Sequence, residues 1–148
     1  MKKYELTTEC KEIGNIKLFR VKALTSFGNA QAGELGGYIE KEDNLSQDGN
    51  ARVIGNARVD GNAEVGGNAL VRGNEDYTTI KGFGREYRNT TFFRQKNGSI
   101  GVVCGCFYGT LDEFRKKVRE THGESKYAKE YLMIADLMEM HFDRSEGK

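Results

Sequence analysis

The segment from Tyr77 to Lys96 holds the residues best suited to chemistry. Lys81, Arg85, Arg88, Arg94 and Lys96 stand there against Glu75, Asp76 and Glu86, with Tyr77, Phe83, Tyr87, Phe92 and Phe93 set between them. Guanidinium forks grip phosphate oxygens and aromatic faces stack on a base, the combination used by nucleotide and single-stranded nucleic-acid sites. Gly82-Phe83-Gly84-Arg85 would let backbone N–H groups approach an anion. The candidate ligand-binding set is therefore Lys81, Phe83, Arg85, Tyr87, Arg88 and Arg94. Arg85, Arg88 and Arg94 would take phosphate, and Phe83 or Tyr87 the base. The competing reading makes the aromatics core and the cations a solvated face.

Two other groups deserve weighing. Cys104 and Cys106 lie two apart, so on a single strand both thiols point the same way and could share a metal with His122 or Cys10. Structural zinc needs four placed ligands and no second cysteine pair exists, so these thiols read as small core residues and no metal is assigned. His122 and His141 are the only histidines.

The element meant to position everything is a repeat. From Gly49 to Asn74 the chain reads GNARVI, GNARVD, GNAEVG, GNALVR, GN. Val53, Val59, Val65 and Val71 recur every sixth residue, as do Ala51, Ala57, Ala63 and Ala69. That period, with a small and an aliphatic residue two apart, points to a hexapeptide β-helix in which three hexads make one coil and the valines fill its interior. Asn50, Asn56, Asn62, Asn68 and Asn74 would sit at corners, where asparagine tolerates left-handed backbone. Arg52, Arg58, Glu64 and Arg72 would point outward, with Arg52 and Glu64 free for pairs between subunits. Extended backwards in phase, the pattern puts Leu35 on the valine position and Ile39 on the alanine position. Lys41 and Gln47 then fall where valine belongs, giving a degenerate first coil of the kind found at a cap.

The flanks follow from local signals. Tyr4–Thr8 and Lys17–Leu24 read as strands around a turn at Ile13-Gly14-Asn15, a hairpin that closes the open end of the coil. After Glu75, strands are expected over Tyr77–Phe83, Asn89–Gln95 and Ile100–Tyr108, the last with apolar residues on both faces. Thr110-Leu111-Asp112-Glu113 is a capping box that opens a helix ending at His122-Gly123. Ser125 starts a second helix reaching about Phe142. Its apolar residues outnumber what one small sheet covers, which suggests packing on another subunit. The expected class is thus mainly β with an α+β C-terminus: an N-terminal hairpin cap (1–34), a short left-handed β-helix (35–74) and an α+β recognition module of a small sheet plus two helices (75–148).

Composition narrows the function classes. The 148 residues carry 23 Lys and Arg against 22 Asp and Glu, so no global field draws the chain to nucleic acid, and sequence-specific DNA binding is not expected. No apolar run reaches membrane-spanning length, and the N-terminus lacks a signal-peptide core. Three cysteines, an odd number, suit reduced thiols in the cytoplasm.

Residues 35–74 resemble the left-handed β-helix family of hexapeptide-repeat proteins, whose best-known members are trimeric acyltransferases. The whole chain is similar to small phage and prophage proteins of the polymer-forming or hypothetical type. The matching pieces are KYELT at 3–7, FGNAQAGELGGYIEKEDNLS at 27–46, the repeat, and CGCFYGTLDEF at 104–114. Acyltransferase chemistry in that family implies a histidine base on the prism, and a hexapeptide carbonic anhydrase implies three histidines on zinc. The repeat contains none, so no catalytic residue and no cofactor are assigned. What the resemblance implies is a non-enzymatic, oligomeric phage-type binding protein, a dimer or trimer, in the cytoplasm of the infected host. By analogy it would act against host defence, binding a defence protein or sequestering a nucleotide signal. The alternatives are a structural scaffold or virion accessory protein, and a hexapeptide-repeat acyltransferase-like enzyme.

Overall fold

The computed structural model describes residues 2–143, so the last five residues of the module assigned to 75–148 lie outside the described residues. Ten strands, β1 (Tyr4–Ile13), β2 (Ile16–Ala23), β3 (Leu35–Ile39), β4 (Arg52–Val53), β5 (Arg58–Val59), β6 (Leu70–Val71), β7 (Tyr77–Phe83), β8 (Arg88–Arg94), β9 (Ile100–Cys104) and β10 (Phe107–Thr110), precede two helices, α1 (Leu111–His122) and α2 (Lys126–Phe142). The strands form three sheets in the orders β1-β2-β3-β5, β10-β9-β8-β7 and β4-β6.

The left-handed β-helix expected over 35–74 is not what the chain builds. Each hexad contributes at most a two-residue strand, and these strands are divided between an open four-stranded mixed sheet and a separate parallel pair; none of the three sheets closes. The physical reason lies in the register. Arg52 faces Leu70, an offset of eighteen, but Tyr38 faces Arg58 and Leu45 faces Val65, two residues more. A 3₁₀ turn at Glu42–Asn44 intervenes, and buried Asn44 fixes it by accepting from the Lys41 backbone N–H at 2.9 Å and donating to the Ala63 carbonyl at 2.9 Å. Ile39, not Leu35, therefore lies opposite Val59, while Leu35 is 50% exposed. Lys41 and Gln47 do not stand in for valine; Leu45 does, against Val65. Arg52 is also not free, since it pairs with Glu34 at 2.7 Å.

The four repeat valines and four alanines are nevertheless buried, in one cluster with Tyr4, Val21, Ile39, Leu45 and Phe93. Burial of each such valine is worth about 1.5 kcal/mol or more. Phe93 enters this cluster from β8, and the partly buried Tyr77 and Val103 pack on it from β7 and β9. Their neighbours Phe92 and Val102 face the other way, onto Leu111, Phe114 and Val118 of α1 and Tyr131, Ala135 and Met138 of α2. Successive side chains on a strand alternate sides, so this sheet is sandwiched between the repeat and the helices. The two layers adhere directly: the Glu64 N–H donates to Thr91 Oγ1 at 2.9 Å, and Asn89 Nδ2 donates to the Asn62 carbonyl at 2.7 Å.

Residues 100–108 do not form one strand. A two-residue turn at Gly105-Cys106 folds them back so that Phe107 pairs with Cys104. Gly105 has φ +60°, and a positive-φ glycine first in a two-residue loop is the type II′ pattern that suits strand twist. Among the described residues no helix is long and apolar enough to cross a membrane.

The start of the chain is tied down by an unusual lysine. Lys3 is 5% exposed, its ammonium donates to the carbonyls of Gly49 and Ala51 at 3.2 and 3.1 Å, and it lies 4.4 Å from the centre of the Phe27 ring. Burial lowers its pKa from 10.5 to about 8, partly offset by Asp48. Between those values only the unfolded chain keeps the proton, so folding releases it and stability rises with pH. Urea midpoints measured from pH 8 to 10 should climb in the wild-type chain and lose this slope in Lys3→Met. Above pH 10 the trend should reverse, because burial raises the pKa values of Tyr4, Tyr77 and Tyr131 and ionisation then favours the unfolded chain.

Candidate functional site

A cavity of about 350 Å³ opens where the β7–β8 and β9–β10 turns meet the C-terminal end of α1. Sheet alternation determines what reaches it. Arg88, Thr90, Phe92 and Arg94 share the helix-facing side of β8; Arg88 lies at the cavity, and buried Thr90 donates its hydroxyl to Cys104 Sγ at 3.2 Å. Phe83 at the end of β7 and Phe107 on β10 supply aromatic wall.

The helices close the other side. Thr110 accepts from the Glu113 backbone N–H at 3.2 Å and Glu113 returns a bond to the Thr110 N–H at 2.8 Å, so the start of α1 is fixed. With Leu111, Phe114 and Val118 turned to the core, Lys117, Thr121 and His122 come to the cavity edge three to four residues along. Tyr131 of α2 is 4% exposed and meets Phe114 edge-on at 5.6 Å. Its hydroxyl donates to the Phe83 carbonyl at 3.0 Å. Burial, with Cys104 adding to the effect, raises that hydroxyl to about 12, so it remains a donor under all ordinary conditions.

Charge at the mouth is uneven. Arg85, Arg88 and Lys117 face a single carboxylate, Glu86, which is paired with Arg88. The Arg85 guanidinium lies 5.6 Å from the centre of the Tyr127 ring. His122 stacks on Tyr131 with centroids 5.9 Å apart, and its Nδ1 is buried without a hydrogen-bond partner. The arrangement can hold an anion at its mouth and a flat apolar ring behind it.

Of the six residues expected from sequence, the structure brings Phe83, Arg85 and Arg88 together here. Arg94 stands six residues along β8 from Arg88, roughly 20 Å at strand rise, and is held at 3.1 Å by buried Asp76 with Phe142 beneath it. It cannot serve the same phosphate as Arg88. Lys81 is exposed on β7 and does not line the cavity; Tyr87 points into solvent at 65% exposure. Sequence reasoning missed Lys117, Thr121 and Tyr131 as lining residues, and considered His122 only as the end of α1 and as a neighbour of Cys104 and Cys106. Lys117 and Thr121 flank the α1 stripe, which is the signal that could have found them. Cys106 is exposed in the turn, so the two thiols do not share one strand face. Among the described residues no three His, Cys, Asp or Glu side chains gather as metal ligands.

Gly84 is the closest constraint on this wall. It has φ +79°, and a Cβ there would come within 2.5 Å of the Tyr131 hydroxyl oxygen. Gly82, at φ +99°, has nothing within 4 Å. Both alanine variants carry backbone strain of about 1–3 kcal/mol, but urea denaturation should show Gly84→Ala losing clearly more stability than Gly82→Ala. No family model and no curated protein matches the chain.

Proposed function

We propose that this chain is a non-enzymatic binding protein for a small phosphorylated ligand of the nucleotide class. Arg85, Arg88 and Lys117 hold the phosphate, and Phe83, Phe107 and Tyr131 enclose the ring. The observation that carries this reading is the imbalance of three cations to one carboxylate around an aromatic cavity of about 350 Å³, a volume within the range of small-ligand sites. Its setting is the one implied by the phage-type resemblance: the host cytoplasm, with capture of a defence nucleotide as the purpose.

Assembly belongs to the same proposal. Met133, Leu137 and Met140 are 71%, 50% and 70% exposed and follow i, i+4, i+7 spacing on the side of α2 opposite its core residues. A helix apolar on both sides is suited to burial, and the occupant we assign to the outer stripe is a second copy of this chain. The spacing is nearly its own reverse, so in an antiparallel pair Met133 meets Met140 and Leu137 meets Leu137. Light scattering at micromolar concentration should give an oligomer that Leu137→Lys converts to monomer; a wild-type monomer rules the assembly out.

Titration calorimetry with mononucleotides and cyclic oligonucleotides tests the binding. At least one should bind, and Arg85→Ala, Arg88→Ala or Lys117→Ala should each weaken it about tenfold or more, the worth of one charge-assisted hydrogen bond. Arg94→Ala should leave affinity unchanged. Binding by none of the panel, or losses confined to Arg94, would overturn the reading.

A further inference from the structure

Of the three cations at the cavity mouth, one is already engaged. Arg85 and Lys117 are exposed and carry no ion pair among the described residues. Arg88 instead holds Glu86, its Nη2 paired with the Glu86 Oε1. The other terminal nitrogen, Nη1, lies against the turn after β9, where a Cβ on Gly105 would come within 2.9 Å of it. The fork therefore meets a glycine backbone at one nitrogen and a carboxylate at the other. The Arg88 and Glu86 side chains are 50% and 68% exposed, so a dissolved anion reaches both. Among the described residues lining the cavity, Glu86 is the single carboxylate.

Resting on the nucleotide reading above, we infer that the Glu86 carboxylate occupies the seat of the ligand phosphate and is displaced from Arg88 when the ligand binds. A carboxylate and a phosphate make the same demand on a guanidinium, since each offers oxygens to its N–H groups, so the two compete for Arg88 Nη2. The phosphate has the advantage in this exchange. It carries more charge and three acceptor oxygens, and it can meet Arg85 and Lys117 as well, whereas Glu86 is tethered two residues from Arg88 and engages that cation alone. Breaking the pair costs little, because exposed ion pairs are weak. The contact at Gly105 does not involve Glu86, so it keeps the guanidinium at the mouth through the exchange. Glu86 is thus an internal competitor that lowers affinity for the anionic ligand.

Calorimetry on the full chain with adenosine 5′-monophosphate tests this. Glu86→Gln keeps the size of the side chain and removes its charge, and it should tighten binding roughly two- to fivefold, the worth of an exposed ion pair. Repeating the change in two weakened backgrounds identifies the partner. Beside Arg85→Ala the gain should persist. Beside Arg88→Ala it should fall below about twofold, because Glu86 then has no cation to release and acts only as a screened charge. Equal gains in the two backgrounds make Glu86 a distant charge and overturn the exchange, as does unchanged or weaker binding by Glu86→Gln itself. In either case the wild type still binds, and the phosphate reading stands. No binding of this nucleotide by the wild type or by Glu86→Gln overturns the inference and, with failure of the wider panel, the nucleotide reading too.

Discussion

Strand β8 has to be kept from water on both faces, and the layers of the molecule are arranged to do it. Phe92 and Phe93 are adjacent and both fully buried, which a strand permits only when each side of the sheet is covered. The repeat covers the Phe93 side and the helices cover the Phe92 side. Each covering layer depends on the sheet in return. The repeat is short and its valines need Phe93, Tyr77 and Val103 to complete a core, while α1 and α2 have Phe92 and Val102 as their floor.

The cavity is a product of that layering. Where β8 begins, near the turn after β7, the last turn of α1 leaves a gap over the sheet, and alternation delivers Arg88 to it. Toward the other end of the same strand, Asp76 and Phe142 engage Arg94. Two arginines of the same strand face thus have opposite fates, decided by a buried carboxylate that one has and the other lacks. The pairing at Asp76 also accepts the Arg72 backbone N–H at 2.9 Å, tying the end of the repeat to the sheet.

Much of the local structure can be read from short-range chemistry. The turn at Gly14-Asn15, the capping box at Thr110–Glu113, and Ser125 as the start of α2 depend on neighbours within four residues, and sequence displays such signals directly. The repeat misleads for the opposite reason. Its period is real, but a period alone does not say which strands pair, and the turn at Glu42–Asn44 shifts the register by two. Ile39 takes the place expected of Leu35 as a result, and Leu35 falls outside the core. Cys104 and Cys106 mislead in a similar way, because apolar residues on either side of Gly105 suit a continuous strand and a tight hairpin equally. Of the site, the arginine and aromatic cluster is visible in the chain, but Lys117, His122 and Tyr131 join it only through the packing of α1 and α2, which no local pattern encodes.

The reverse turn from Gly84 to Tyr87 divides its labour residue by residue. Gly84 is locked against Tyr131, while the Arg85 and Glu86 side chains that follow are exposed at the mouth and contribute nothing to either core. Exchanging Arg85 or Glu86 therefore alters what approaches the opening without loosening what lies beneath it. Tyr87, at φ +54°, is bound instead by its backbone, so the edits that the scaffold would not register stop at a two-residue fringe.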